Sequence, residues 1–190
     1  MAETINLPSP KERKLFLDRQ VSQSSINAIS KEIIEINDHD EYIRRIYEAH
    51  DLVYIAKPIK LYIDSYGGLV YQCMGLLGIM KTSKVPIHTI VTGCAMSCGF
   101  LISISGHKRY GYERSTYLYH QVGGGAFGKS KDMEEELIEM LRLQKQVEEI
   151  TLQQTGITAK KLERIYKAKK DWYMDSIEAI KLKVIDEIIL

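Results

Sequence analysis

The stretch Ile90-Val-Thr-Gly-Cys-Ala-Met-Ser-Cys-Gly-Phe-Leu-Ile-Ser-Ile-Ser-Gly106 decides how this chain is read. An apolar, β-branched run from Ile87 to Thr92 stops at Gly93, small residues follow, and an apolar helical pattern starts near Gly99. That order predicts a strand entering a helix through a tight turn, with Ser97 on the first helical turn. A hydroxyl there lies over unpartnered backbone N–H groups and the positive end of the helix dipole. Ala95 and Gly99 let the backbone pack closely on either side, as small residues do around a nucleophile elbow. A lone A-x-S-x-G pattern more often describes a buried packing spot, so the partners of Ser97 must decide between the two.

Outward from this stretch the chain alternates strand and helix. Arg13 to Val21 reads as a short strand and a turn, and Ser24 or Ser25 can cap a helix with Ile26, Ile29, Ile33 and Ile36 on one face. Asn37-Asp-His-Asp40 is expected to break it, leaving Tyr42 to Ile55 as a second short helix or an extension. Ile59 to Ile63 is a strand that runs into Asp64-Ser-Tyr-Gly-Gly68, and Val70 to Met80 is a helix with Cys73, Met74, Leu77 and Met80 inward. After Ser97 and its helix come short strands at Lys108–Tyr110 and Ser115–Tyr119, the second ending at His120. A β-α-β-α-β order with short connections implies an α/β fold with a parallel sheet, whose chemistry gathers at the carboxyl ends of the strands. Gln121 to Gly128 is Gly-rich, as where another backbone approaches. A long helix follows, from Met133 to about Gln153, capped by Asp132 and carrying Met133, Leu137, Met140, Leu141, Val147 and Ile150 inward. A short helix, Ala159 to Ala168, and an irregular stretch, Lys169 to Asp175, lead to a helix capped by Asp175 and a final strand, Val184 to Ile189.

With 190 residues, a formal charge of +1 and 27% charged residues, the chain reads as one ordinary globular domain behind a mobile arm, residues 1–12. The charge gives no reason to expect nucleic acid or a membrane surface as partner. No apolar run approaches the roughly 18 residues of a membrane helix. Pro8, Lys11 and Arg13 are unlike a signal peptide, and Cys73, Cys94 and Cys98 lack metal-ligand spacing, so free thiols in a reducing cytoplasm are expected. No metal or cofactor is implied.

A serine nucleophile needs a base, a carboxylate to orient it, and donors for the oxyanion. Of the five histidines, His39 and His50 lie in polar surroundings, His88 lies within a strand, and His107 follows a helix end beside two cations. His120 alone ends an apolar strand next to a Gly-rich loop. Among the downstream acids Asp132 and Asp175 serve as caps, and Asp186 reads as an exposed edge charge. Asp171 has no capping role, and its alternative is a surface pair with Lys169 or Lys170, a kind that contributes little. Elimination therefore leaves Ser97, His120 and Asp171. Cys98, directly after the serine, and Gly68, in the neighbouring turn, can supply oxyanion N–H groups.

Four motifs together resemble those of the Clp protease proteolytic subunit (ClpP) family. Leu61-Tyr-Ile-Asp-Ser-Tyr-Gly-Gly-Leu-Val70 is similar to its L-Y-I-N-S-P-G-G-S-V, and Gly93-Cys-Ala-Met-Ser-Cys-Gly-Phe100 to its G-x-A-A-S-M-G-A. Tyr117-Leu-Tyr-His-Gln121 is similar to V-M-I-H-Q, and Lys170-Asp-Trp-Tyr-Met174 to R-D-x-F-M. The resemblance covers Arg13 to Ile189. It implies the ClpP/crotonase-type fold of repeated β-β-α units, with a parallel sheet and a protruding handle helix. It also implies a Ser97–His120–Asp171 serine endopeptidase with Gly68 and Cys98 at the oxyanion. Gly67, Leu69, Gly123, Gly124 and Gly125 would lie along the substrate, which adds as an extended strand. Family members form two stacked heptameric rings in the cytoplasm and degrade unfolded polypeptides delivered by a hexameric Clp-type ATPase. The chain itself has no phosphate-binding motif.

The departures are specific. Tyr66 replaces the family's proline before the glycine pair, Asp64 adds a charge, the arm before Arg13 is short, and the segment from His39 to Lys57 is longer than usual. These mark a divergent member, of the kind a phage or an accessory gene would encode. Two other readings stand beside the peptidase: an inactive ring subunit, and a crotonase-type acyl-CoA enzyme with the same paired N–H groups.

Overall fold

The structure, a computed structural model, describes residues 11–125 and 127–190. The arm expected over residues 1–12 lies, up to residue 10, outside them. The elements are β1 (Lys14–Leu17), α1 (Gln23–Glu48), β2 (Ile59–Ser65), α2 (Val70–Thr82), β3 (Ile87–Met96), α3 (Cys98–Ile104), β4 (Lys108–Tyr112) and β5 (Thr116–Tyr119), then α4 (Ser130–Gln154), α5 (Ala159–Ala168), β6 (Trp172–Asp175), α6 (Ser176–Lys181) and β7 (Glu187–Ile189). Strands β1-β2-β3-β4-β7 form a parallel path.

β3 is the hub, because its two halves have different neighbours. His88 to Val91 pair with β4, whereas Cys94 to Met96 pair with β5. Gly93 lies at this fork and does not end the strand, as its sequence context suggests. A side chain there would collide with the Asp64 carboxylate, which accepts from the Cys94 N–H at 2.9 Å. β6 runs antiparallel to β5, with Tyr119 opposite Trp172. The stretch expected to be irregular is therefore half strand: Trp172 to Asp175 gain ladder partners because β5 presents an open edge.

Packing follows the apolar periodicity. Ile26, Ile29, Ile33 and Ile36 of α1 are buried, as are Cys73, Leu76 and Met80 of α2. Met74 and Leu77, expected inward, are half-buried. The helix start is Ser22, whose side chain accepts from Ser25 N–H, rather than Ser24 or Ser25. Asn37-Asp-His-Asp40 does not interrupt α1. Asn37 donates to the Ile33 carbonyl and accepts from the Lys84 and Val85 amides, and Asp40 takes both guanidinium arms of Arg13. Side chains with tertiary partners no longer compete for the helix backbone. Arg13 also donates to the Lys57 carbonyl, which ties down the far end of the long segment after α1.

Asp186 is likewise no edge charge. It accepts from the Arg109 backbone N–H and guanidinium, while Arg109 reaches the Lys183 carbonyl at 2.8 Å, locking β4 to the C-terminal segment. In α4 the expected inner stripe divides. Val147 is buried and Met140 and Ile150 are half-buried, but Met133, Leu137 and Leu141 are exposed, Leu137 to 53%; Leu143, Gln144 and Thr151, not expected inward, are buried. The cap is Lys129, with Asp132 at the third helical position accepting its N–H. Among the described residues no helix is long and apolar enough to cross a membrane.

Candidate active site

The carboxyl end of β3 delivers Ser97 into a turn that an L-residue adopts only under constraint, with φ 54° and ψ −120°. Ser97 is the residue before α3 rather than part of its first turn. Its N–H donates to the Leu118 carbonyl at 3.0 Å, and its own carbonyl receives the first helical bond, from Leu101. A positive φ between strand and helix is what projects a nucleophile out of a sheet.

The glycine pair explains how this turn is held. At Gly67, a Cβ would stand 2.7 Å from both Ser97 Cβ and the Met96 carbonyl oxygen, so only glycine lets the two turns touch. At Gly68, with φ +147°, a Cβ would stand 2.2 Å from the Val21 carbonyl oxygen. Val21 donates to the Gly67 carbonyl and accepts from the Leu69 N–H, both at 2.8 Å. This leaves the Gly68 peptide facing the other way, where its carbonyl accepts from Cys98 Sγ at 3.3 Å. Buried Ser65 adds a further tie, donating to the Arg19 carbonyl at 2.6 Å and accepting from Gly67 N–H. Hydrogen bonds thus set the turn that a proline would otherwise stiffen, and Tyr66 points out, 75% exposed.

Ser97, Cys98, Gly68, His120 and Gly123 line one cleft of about 250 Å³. Phe100, Leu101, Val147 and Tyr119 give it an apolar wall, and Tyr66, Val70, Gln121 and Val122 complete the rim. The Cys98 N–H opens α3, so it has no carbonyl one turn back to bond. The Tyr119 hydroxyl is pushed up to about 12 by burial, with Glu148 adding to the effect. Gly67 lies beneath Ser97 rather than in the cleft wall, and Leu69 is exposed beside it. Gly124 and Gly125 are exposed beyond the cleft lining.

Asp171 is exposed and outside the cleft lining. The ladder nevertheless brings it near: Tyr119 opposes Trp172, so the next positions on the two strands are His120 and Asp171. Directly opposed residues of an antiparallel pair share a face. Among the described residues no hydrogen bond joins His120 to Ser97 or to Asp171. No group of three His, Cys, Asp or Glu among them could hold a metal ion.

A family model described as Clp protease matches residues 8–190. The chain belongs to the Clp protease family. It is 31% identical over 182 residues to the ATP-dependent Clp protease proteolytic subunit of Streptococcus mutans, covering 94% of this chain and 85% of that one. It is 28% identical over 181 residues to the protein of the same name from Dehalococcoides mccartyi, covering 94% of this chain and 82% of that one. The Clp protease resemblance and the parallel α/β fold read from the four motifs are therefore correct.

Sequence reasoning missed two supporting residues. One is Ser65, whose place in a strand gives no hint that its hydroxyl bridges two turns. The other is Gln144 of α4, buried, which accepts from the Val122 N–H at 2.8 Å and donates to Glu148 at 2.7 Å. A lone polar residue at an apolar-stripe position was the available signal.

Proposed function

We propose that this Clp protease family member is a serine endopeptidase subunit that hydrolyses unfolded polypeptides. The observation that carries the reading is the positive-φ Ser97 at the mouth of a cleft that it shares with His120, Gly68 and Cys98. Ser97 Oγ attacks the scissile carbonyl while His120 takes its proton, and the Gly68 and Cys98 N–H groups receive the developing oxyanion. His120 then protonates the leaving amine, and water hydrolyses the acyl-enzyme by the same route. Asp171, across from His120, orients the imidazole and stabilises its charged form. The substrate runs as an extended strand between the Gly67–Leu69 turn and Gly123–Gly125, and the exposed backbone of the three glycines bonds its main chain without demanding a sequence. The apolar wall receives the side chain before the scissile bond.

The exposed stripe Met133, Leu137 and Leu141 on α4 supports assembly into two stacked heptameric rings, in which it is covered. A hexameric Clp-type ATPase supplies substrate in the cytoplasm, in keeping with the "ATP-dependent" name of the relatives.

The test combines native mass, cleavage of a short fluorogenic peptide, and labelling by a fluorophosphonate. Labelling and cleavage are expected in the assembled protein and absent in Ser97→Ala. An assembled wild-type protein that neither labels nor cleaves would be the inactive ring subunit instead. Thioester turnover without cleavage would point to acyl-CoA chemistry.

A further inference from the structure

The triad leaves two nucleophilic groups unused directly behind it. Cys98, next to Ser97, and Cys73 of α2 are both buried free thiols. Cys73 Sγ lies 3.6 Å from the Cys98 carbonyl oxygen, and Cys98 Sγ lies 3.3 Å from the Gly68 carbonyl oxygen. Their places differ, since Cys98 lines the cleft and Cys73 lies behind it, fully buried. The two thiols set each other's ionisation. Hydrogen bonding from Cys73 holds the Cys98 thiol below its ordinary range, and the same contact, with burial, raises Cys73 well above its own. A cleft-side thiol that ionises first, with a second thiol behind it, is the arrangement of a peroxidatic and a resolving cysteine.

We propose that Cys98 and Cys73 form a reversible disulfide on exposure to hydrogen peroxide, and that this bond shuts the catalytic site. Cys98 thiolate attacks one peroxide oxygen, the O–O bond breaks, and hydroxide leaves as water once protonated, giving Cys98 sulfenic acid. Cys73 sulfur then attacks the Cys98 sulfur, its proton leaves with the departing hydroxyl, and a second water forms. Two thiols are oxidised by two electrons, and one peroxide is reduced to two waters. A thiol reductant reverses the step.

The consequence for the site follows from the contacts. Cys98 Sγ now braces the Gly68 peptide, and the new bond turns it toward α2. The two residues proposed to hold the oxyanion through their N–H groups are the one that carries this sulfur, Cys98, and the one whose carbonyl it meets, Gly68. Displacing one such donor lowers turnover roughly a hundredfold or more. Cys94 provides the internal contrast. Burial and the nearby Asp64 push its thiol up to about 11, and the Asp64 carboxylate stands beside it on β3, away from the cleft lining.

The effect on activity rests on the peptidase reading; the disulfide does not, so the experiment reads them separately. The full-length assembled protein is treated with hydrogen peroxide, and one portion is digested without reduction for mass spectrometry. A peptide linking Cys73 to Cys98 is expected, and its absence overturns the proposal. The other portion is assayed for fluorophosphonate labelling and peptide cleavage. Both are expected to fall roughly a hundredfold and to return with dithiothreitol. Linkage with unchanged labelling and cleavage overturns the claim that the bond shuts the site. Cys73→Ala is expected to keep activity through peroxide treatment, and Cys94→Ala to stay as sensitive as wild type. The reverse pattern places the sensitive thiol at Cys94 and refutes the pair. Failure of reduced, untreated protein to label or cleave strikes the peptidase reading alone, because the linked peptide is scored without activity.

Discussion

The two walls of the cleft are built in opposite ways. On the Ser97 side, backbone meets backbone: Gly67 against Met96 and Ser97, Gly68 against Val21, with Ser65 and Val21 closing the turns by hydrogen bonds. On the His120 side the chain leaves β5 for an exposed run of glycines, held by the Val122–Gln144 bond to α4. One wall is over-determined by close packing and resists displacement. The other leaves its backbone exposed and has the Val122–Gln144 bond as its tie to α4. For the proposed peptidase, close packing sets Ser97 and the Gly68 and Cys98 N–H groups in advance, whereas no hydrogen bond among the described residues yet holds His120 to Ser97 or Asp171.

Substitutions at three positions probe this difference, and a fourth serves as control. Asp171→Asn tests the exposed wall most severely. If Asp171 orients His120, kcat is expected to fall by about ten-thousandfold while thermal stability stays unchanged, because the residue is exposed. A decrease of less than about tenfold would break the assignment. Gly68→Ala tests the rigid wall, where a methyl 2.2 Å from the Val21 carbonyl must displace one turn or the other. Cleavage is expected to drop by roughly a hundredfold, with a lowered Tm, if the shifted Gly68 N–H is the proposed oxyanion donor. Equal Tm and activity would show that this wall yields.

Gln144→Leu removes the fastening of the exposed wall and leaves the Val122 N–H unpaired. The expected loss is about tenfold in kcat, with KM changing less, if the proposed base His120 is displaced rather than the substrate. Gln144→Glu, which still accepts from Val122, should recover part of that loss. A fall in Tm without a change in kcat would make Gln144 a structural residue only.

Asp40→Asn is the control away from both walls, with the smallest effect on activity. Burial alone would raise the Asp40 carboxyl, but the hydrogen bonds from Arg13 and His39 outweigh it and hold the group below its usual range. A carboxylate lowered on folding stabilises the protein above its unfolded pKa, and that contribution is lost as pH falls through the folded value. Wild type should therefore lose stability toward acid more steeply than Asp40→Asn. The variant is expected to be about 3 kcal/mol less stable at neutral pH in urea unfolding. Identical acid profiles would sink the pair as a stabilising contact.

Much of the local structure is legible in the residues themselves. The β-branched run before Ser97, the small residues around it and the apolar spacing of α1, α2 and α3 specify strand, turn and helix through backbone sterics and side-chain periodicity, which act within a few residues. The same locality misleads at Asn37–Asp40 and Gly93, where residues that break helices or strands in isolation are satisfied by distant partners.

Ser97 and its place after a strand were therefore decided by sequence, as was the reason to suspect it. Why the two glycines must be glycine was decided by tertiary structure, because their missing side chains are the space that Val21 and Ser97 occupy. The fold likewise made Trp172–Asp175 a strand and put Asp171 and His120 one step beyond its last pair, since a short strand exists only where another offers its edge. It also set Cys73 behind Cys98. Contacts between residues far apart in the chain depend on how the helices and the sheet dock, and no local pattern records that docking.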